Sequence, residues 1–434
     1  MTQTYQVRCL GTGDLLQDDG FLLANPASSK PALIRAEYAR RQLTVRPENP
    51  GIFRFADWLP VGRTLPGQGY PVTYRSEKLA QELGLERLYI TFSGYWPEIG
   101  ATMSTGTFKE CEAYAVCARY PRASRRILVV ASAGNTARAF LKVASENRIP
   151  LVVVVPRMSL GELWQDKPLN PWVKILVSDH NSDYFDAIQL ADELCGQDGF
   201  QPEGGAKNIA RRDGMGTTVL SAVTTIGEIP DVYYQAIGSG TGAIAAYEAN
   251  LRLLQDGRFG DTVMSLRLAQ NKPFLPIYNA WQKKSRDIEA YTAEEARSLS
   301  SQLVAKVLAN RKPPYGPVGG LFDALSATNG QVLAVSNDEA KAAQELFAAS
   351  EGCDICPESG VALAALQQER ASGQLGRSKL VMLNVTGGGL SNIERDLKPG
   401  PVAADAAIDP DRATQADKRA VFDRLRNEIL NALG

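Results

Sequence analysis

Short apolar runs rich in β-branched residues alternate along the chain with longer amphipathic stretches, and this alternation dictates the fold class. The runs occupy residues 88–92, 127–131, 151–155, 173–177, 232–237, 266–270, 332–335 and 380–385. Helical periodicity fills stretches such as 136–147, 184–195, 242–254 and 338–349. A strand that is apolar throughout has both faces covered, the condition of a parallel sheet flanked by helices. The chain is therefore expected to be α/β. Its 434 residues suffice for two domains and a large core.

The expected division gives residues 1–100 and 216–400 to a larger domain and 101–215 to a smaller one, with a C-terminal tail and helix at 401–434. Residues 201–217 are rich in glycine and charge and read as a long functional loop or a crossing between domains. Residues 398–417 hold four Pro or Gly positions among small side chains and read as a surface tail or linker. Beyond them Val421, Phe422, Leu425, Ile429 and Leu433 recur at helical spacing. That helix is expected to dock on the protein or on a second subunit, so a homodimer is expected.

Charge and cysteine usage exclude several classes. A net charge of -1 creates no field for nucleic acid or an anionic membrane. Residues 1–16 are polar and broken by glycine, unlike a signal peptide. The longest apolar run, 151–156, is too short for a bilayer, so a cytoplasmic location is expected. The cysteines, at 9, 111, 117, 195, 353 and 356, form no disulfide framework in a chain this long. Cys353 and Cys356 read as ordinary thiols rather than half of a zinc site. The single histidine, His180, rules out multi-histidine metal sites and reads as a loop residue. No metal is expected.

Chemistry concentrates in four segments. Gly238-Ser239-Gly240-Thr241-Gly242 follows a strand and opens a helix, where exposed N–H groups and the helix dipole suit a phosphate. It lacks the Gly-Lys-Ser/Thr ending of a nucleotide P-loop and equally fits a tight turn. Ser132-Ala133-Gly134-Asn135-Thr136 repeats the arrangement and could receive a carboxylate, or merely cap a helix through Ser132 or Asn135. Lys109, in Thr107-Phe108-Lys109-Glu110, sits where a helix begins. Partly desolvated there, its amine would act as nucleophile or base; exposed, it would do nothing special. Thr386-Gly387-Gly388-Gly389 ends the last strand and permits close approach of a flat ring or of a second backbone. A buried amine beside an anion cradle suits a phosphorylated aldehyde, pyridoxal 5'-phosphate above all.

Together these segments resemble the fold type II pyridoxal-phosphate enzymes, the threonine synthase and cysteine synthase superfamily. Longer stretches are similar to the threonine synthase-like cysteate synthases. They include Phe92 to Glu98, Pro202 to Asn208, Arg211 to Thr217, Gln235 to Gly242, Tyr278 to Gln282 and Pro313 to Tyr315, and the resemblance spans residues 30–395. It implies a tryptophan synthase β-like architecture of two domains, each with a largely parallel sheet flanked by helices. It also implies that Lys109 links to the cofactor's aldehyde and shuttles the Cα proton. Asn135 would bond the ring hydroxyl, and Gly238, Ser239, Gly240, Thr241 and Gly242 would cradle the phosphate. Thr386 would face the pyridine nitrogen, and Ser132, Ala133, Gly134 and Thr136 would hold the substrate carboxylate. A neutral hydroxyl at Thr386, in place of a carboxylate, should favour elimination.

The implied reaction replaces the phosphate of O-phospho-L-serine by sulfite, giving L-cysteate. One departure lies next to the lysine: Ser104 and Gly106 stand where cysteate synthases carry a lysine and a cysteine. What recognises a donor phosphate is thereby left open. Cys9 followed by Thr12 also lacks the CxxC half of a zinc ribbon. Three readings stand side by side: β-replacement of cysteate synthase type, a threonine synthase- or dehydratase-like relative with another donor or nucleophile, and a non-catalytic metabolite-binding protein.

Overall fold

The structure is a computed structural model that describes residues 4–132, 134–179, 182 and 184–434. Two sheets organise it. In the larger, the strands run Gln331–Val335, Ser265–Asn271, Val232–Ala236, Leu380–Val385, Arg87–Phe92 and Val72–Arg75 across six positions. Neighbours are parallel except for Val72–Arg75, which lies antiparallel at the edge. The smaller sheet has five parallel strands, in the order Phe200–Pro202, Ile127–Ala131, Leu151–Pro156, Val173–Ser178 and Ala406–Ile408.

Both faces of each sheet are covered, as the continuous apolar runs require. Side chains along a strand alternate between faces. Val381 and Leu383 accordingly enter one core while Met382, between them, enters another. In the smaller sheet Val153 and Val155 face one core, and Val152 and Val154 the other. Full burial of each such side chain contributes about 1.5–3 kcal/mol.

Two stretches differ from the sequence reading. Residues 201–217 are not a long loop. After a turn at Gly204 and Gly205, the Asn208 side chain caps Ala210 N and an 18-residue helix runs over Ile209–Ile226. The glycines that suggested a loop are packing residues: a Cβ on Gly214 would lie 2.4 Å from the Cys111 carbonyl oxygen. This helix and Lys109–Arg119 thus touch backbone to side-chain-free backbone. The charges are buried in ion pairs, Arg212 with Glu248 and Asp213 with Arg252.

The second stretch is 398–417, which supplies the strand Ala406–Ile408 at the edge of the smaller sheet. The helix Gln415–Leu433 then buries Phe422, Leu425 and Ile429 against that same sheet. The apolar stripe that would have recommended a second subunit is consumed within the chain. His180 lies outside the described residues.

Candidate active site

Lys109 is placed by a loop stitched to the end of a strand. The helix Lys109–Arg119 starts at the lysine itself. Just before it, Phe108 N donates to Thr386 O at 2.9 Å, and Gly388 N donates to Gly106 O at 3.0 Å. Gly106 has φ +75, and a Cβ there would meet Leu390 at 2.9 Å, so the glycine that departs from the family pattern is required by this turn. The glycines after Thr386 admit a second backbone: a Cβ on Gly94 would stand 2.2 Å from the Gly388 carbonyl oxygen. Cys356 N and Gly389 N extend the stitching to Gly387 O and Asp354 O.

The lysine is mostly buried, its side chain 19% exposed. Burial pulls the amine's proton affinity below the ordinary lysine range, while Glu112 pulls it back up and Arg211 down. Lys109 Nζ lies 3.3 Å from Glu112 Oε2, and Glu112 itself has no exposure. The other carboxylate oxygen accepts from Thr136 Oγ1 at 3.0 Å and stands 3.3 Å from Arg211. Arg211 in turn donates to both oxygens of Glu203, at 2.8 and 2.6 Å. Lys109 therefore ends a buried chain of alternating charge.

Thr136 brings the second segment into this network. In that turn Ser132 Oγ accepts from Gly134 N and Ala137 N, so its hydroxyl is engaged in capping. Asn135 Nδ2 donates to Glu358 Oε1 at 3.1 Å, and Asn135 Oδ1 accepts from Arg138. Burial raises the proton affinity of the Glu358 carboxyl, with Asn135 and Arg138 opposing it. Ala133 lies outside the described residues.

The glycine-rich turn after Val232–Ala236 packs against the lysine loop. A Cβ on Gly242 would lie 3.1 Å from the Phe108 ring, next door to Lys109, and 2.8 Å from Gln235. Gly240 has φ +77 and opens the helix Thr241–Asp256. Ser239 Oγ and Thr241 Oγ1 are 2.9 Å apart. Among the described residues the N–H groups of Gly238, Ser239 and Gly240 meet no acceptor. Open N–H groups at the start of a long helix are an anion cradle.

A desolvated amine and an open cradle on either side of Phe108 fit a phosphorylated aldehyde, and pyridoxal phosphate is such a molecule. The fold thus gathers Lys109, Asn135, Thr136, Thr386 and the turn 238–242 around one centre, with Ser132 and Gly134 in the adjoining cap. Sequence reading missed Glu112, Arg211, Glu203, Arg138 and Glu358 as members. Glu112, three positions after Lys109, and Arg138, three positions after Asn135, left a local signal, each on the same helix as its predicted neighbour. Among the described residues no group of three His, Cys, Asp or Glu side chains is arranged to hold a metal. No helix among them is long and apolar enough to cross a membrane.

The pyridoxal-phosphate dependent enzyme family matches residues 68–387. Cysteate synthase of Methanocella paludicola is 46% identical over 396 residues, which cover 91% of this chain and 92% of that protein. Cysteate synthase of Methanocella arvoryzae is 48% identical over 368 residues, covering 84% and 88%. Among solved structures, maize serine racemase superposes with a TM-score of 0.57 at 14% identity, covering 76% of this chain and 91% of its own. The processed form of threonine deaminase isoform 2 from Solanum lycopersicum gives 0.54 at 15% identity, covering 75% and 87%. At such identities the structural likeness concerns the fold, two helix-flanked sheets that are largely parallel. The chain belongs to the pyridoxal-phosphate dependent enzymes and, within them, to the family of the cysteate synthases.

Proposed function

We propose that the chain makes L-cysteate from O-phospho-L-serine and sulfite, releasing phosphate. Identity of 46% to a cysteate synthase over 91% of the chain is the observation that carries this reading. Pyridoxal phosphate, when bound, supplies the electron sink that lets an amino acid lose its Cα proton and then its β substituent. The residues then divide the work. Lys109 anchors the cofactor and moves the Cα proton, a task suited to an amine whose proton affinity burial has lowered. The N–H groups of Gly238, Ser239 and Gly240, with the Thr241 and Gly242 start of the helix, hold the cofactor phosphate. Asn135 and Thr386 contact the ring. Gly134 and Thr136, with Ser132 shaping the turn, take the substrate carboxylate, and Ala133 belongs to the same stretch.

On this reading the larger sheet carries the phosphate cradle and the smaller sheet carries the carboxylate turn, with Lys109 between them. The test is to incubate purified holoenzyme with O-phosphoserine, O-phosphohomoserine or O-acetylserine, each with and without sulfite. Sulfite-dependent cysteate from O-phosphoserine is the expected product. Phosphate release from O-phosphoserine without any sulfonate, or reaction with O-phosphohomoserine alone, would replace this reading by the threonine synthase- or dehydratase-like one.

A further inference from the structure

Among the described residues four arginines are buried: Arg119, Arg138, Arg212 and Arg252. Three of them meet a carboxylate, Arg119 that of Asp18, Arg212 that of Glu248 and Arg252 that of Asp213. Arg138, only 7% exposed, has none within the 4.0 Å of an ion pair. Its Nη1 donates to the Glu162 carbonyl at 3.1 Å and its Nη2 to the Asn135 amide oxygen. Its Nε, fully enclosed, has no partner at all. The Trp164 ring lies 4.8 Å from the guanidinium. Glu162 and Glu358 act on it only from a distance.

A guanidinium keeps its charge in any protein environment, and a buried charge without a counter-ion is costly. The other cations of the site are already neutralised: Lys109 faces Glu112, and Arg211 faces Glu203 and Glu112. Ser104, where the family carries a lysine, offers only a buried hydroxyl that has no partner. Arg138 is thus the one buried cation beside Asn135 that no carboxylate contacts directly, Glu358 reaching it only through Asn135. It sits one helical turn after Asn135, on the helix Asn135–Glu146, where the N–H groups of Asn135 and Thr136 meet no acceptor among the described residues and remain available for a carboxylate. A planar fork of donors is the natural partner of a phosphate- or sulfite-like oxyanion.

We propose that Arg138 binds the oxyanion carried at the substrate's β carbon, first the donor's phosphate and then the sulfite that takes its place. This rests on the cysteate-forming reading above. The experiment measures binding rather than turnover, through the change each ligand causes in the visible absorbance of the holoenzyme. O-Phosphoserine, L-cysteate and L-alanine are compared on wild type, Arg138→Met and Arg138→Lys.

Loss of the guanidinium is expected to weaken O-phosphoserine and L-cysteate by at least about tenfold and to leave L-alanine, which has no β anion, within about twofold. Arg138→Lys should recover much of the loss. Equal weakening of L-alanine would overturn the proposal by assigning Arg138 to the α-carboxylate or to structure alone, and unchanged binding of all three would overturn it outright. If Arg138→Met does not fold, Arg138→Gln serves the same comparison.

Calorimetry with inorganic phosphate and sulfite separates the two levels. Arg138-dependent binding of these ions by an enzyme that does not convert O-phosphoserine would keep the anion site and discard the reaction. Cysteate formation with ion binding indifferent to Arg138→Met would keep the reaction and discard the site.

Discussion

Lys109 Nζ and Glu112 Oε2 face each other at 3.3 Å, one helical turn apart and almost sealed from solvent. The carboxylate favours the protonated amine; burial, the larger influence, favours the neutral one. Replacing Glu112 by Gln keeps the shape and removes the restoring charge. The neutral amine, the form that attacks an aldehyde or accepts a proton, then persists to lower pH. The acid limb of the rate of cofactor capture should move to lower pH in Glu112→Gln. A limb that stays in place would mean that Glu112 only fills space.

Lys109 itself gives the sharpest test of cofactor chemistry. Lys109→Ala should lose the absorbance band near the visible edge that a bound pyridoxal phosphate gives through its lysine. Turnover should fall by about 10²–10⁴-fold, the usual contribution of a positioned acid–base group. The cradle at 238–242 is untouched by this change, so phosphate-anchored cofactor should still be recovered after gel filtration, at reduced occupancy. A visible band surviving in Lys109→Ala would move the covalent role to another amine.

The thiols are expected to be inert. Burial pushes Cys353 and Cys195 up to about 12, holds Cys111 and Cys117 higher still, and lifts Cys356 well above the ordinary thiol range. Cys9 alone is more acidic than an ordinary thiol, because contacts around Thr12 outweigh its burial, yet its side chain has no exposure. A thiol reagent at pH 8 should therefore label the native enzyme slowly and reach all six cysteines only after unfolding. Rapid labelling of Cys353 or Cys356 with loss of activity would instead mark that pair as functional.

What the sequence disclosed follows from the range of each interaction. The strands and the four chemistry-bearing segments are local patterns, legible within four to seven residues. Glu203, Arg211 and Glu358 became members of the site only through folding, since Asn135 and Glu358 are 223 positions apart. The strand Ala406–Ile408 was hidden because it is three residues long among Pro and Gly, and takes its conformation from pairing with Val173–Ser178. Gly214 misled for a related reason. Its lack of a side chain looked like flexibility, whereas the Cys111 carbonyl 2.4 Å from its would-be Cβ makes it a close-packing requirement.

The same reasoning applied to Gly94 gives a prediction about the lysine loop. A Cβ at Gly94 would lie 2.2 Å from Gly388 O and 2.8 Å from Gly388 N, both backbone atoms that no rotamer change can move. Gly388 also donates to Gly106 O, so displacing it pulls on the turn that leads into Lys109. Gly94→Ala should lower stability by about 1–3 kcal/mol, the usual scale of overpacking, or by more if the strand end cannot give way. The loss should reach the site as well. Cofactor affinity, followed by the visible band, should fall together with the urea midpoint. By contrast, Gly100→Ala, at a positive φ but with open space around its Cβ, should cost only the backbone strain and leave cofactor binding intact. Equal cofactor loss in both variants would show that the contact between Gly94 and Gly388 does not govern the position of Lys109.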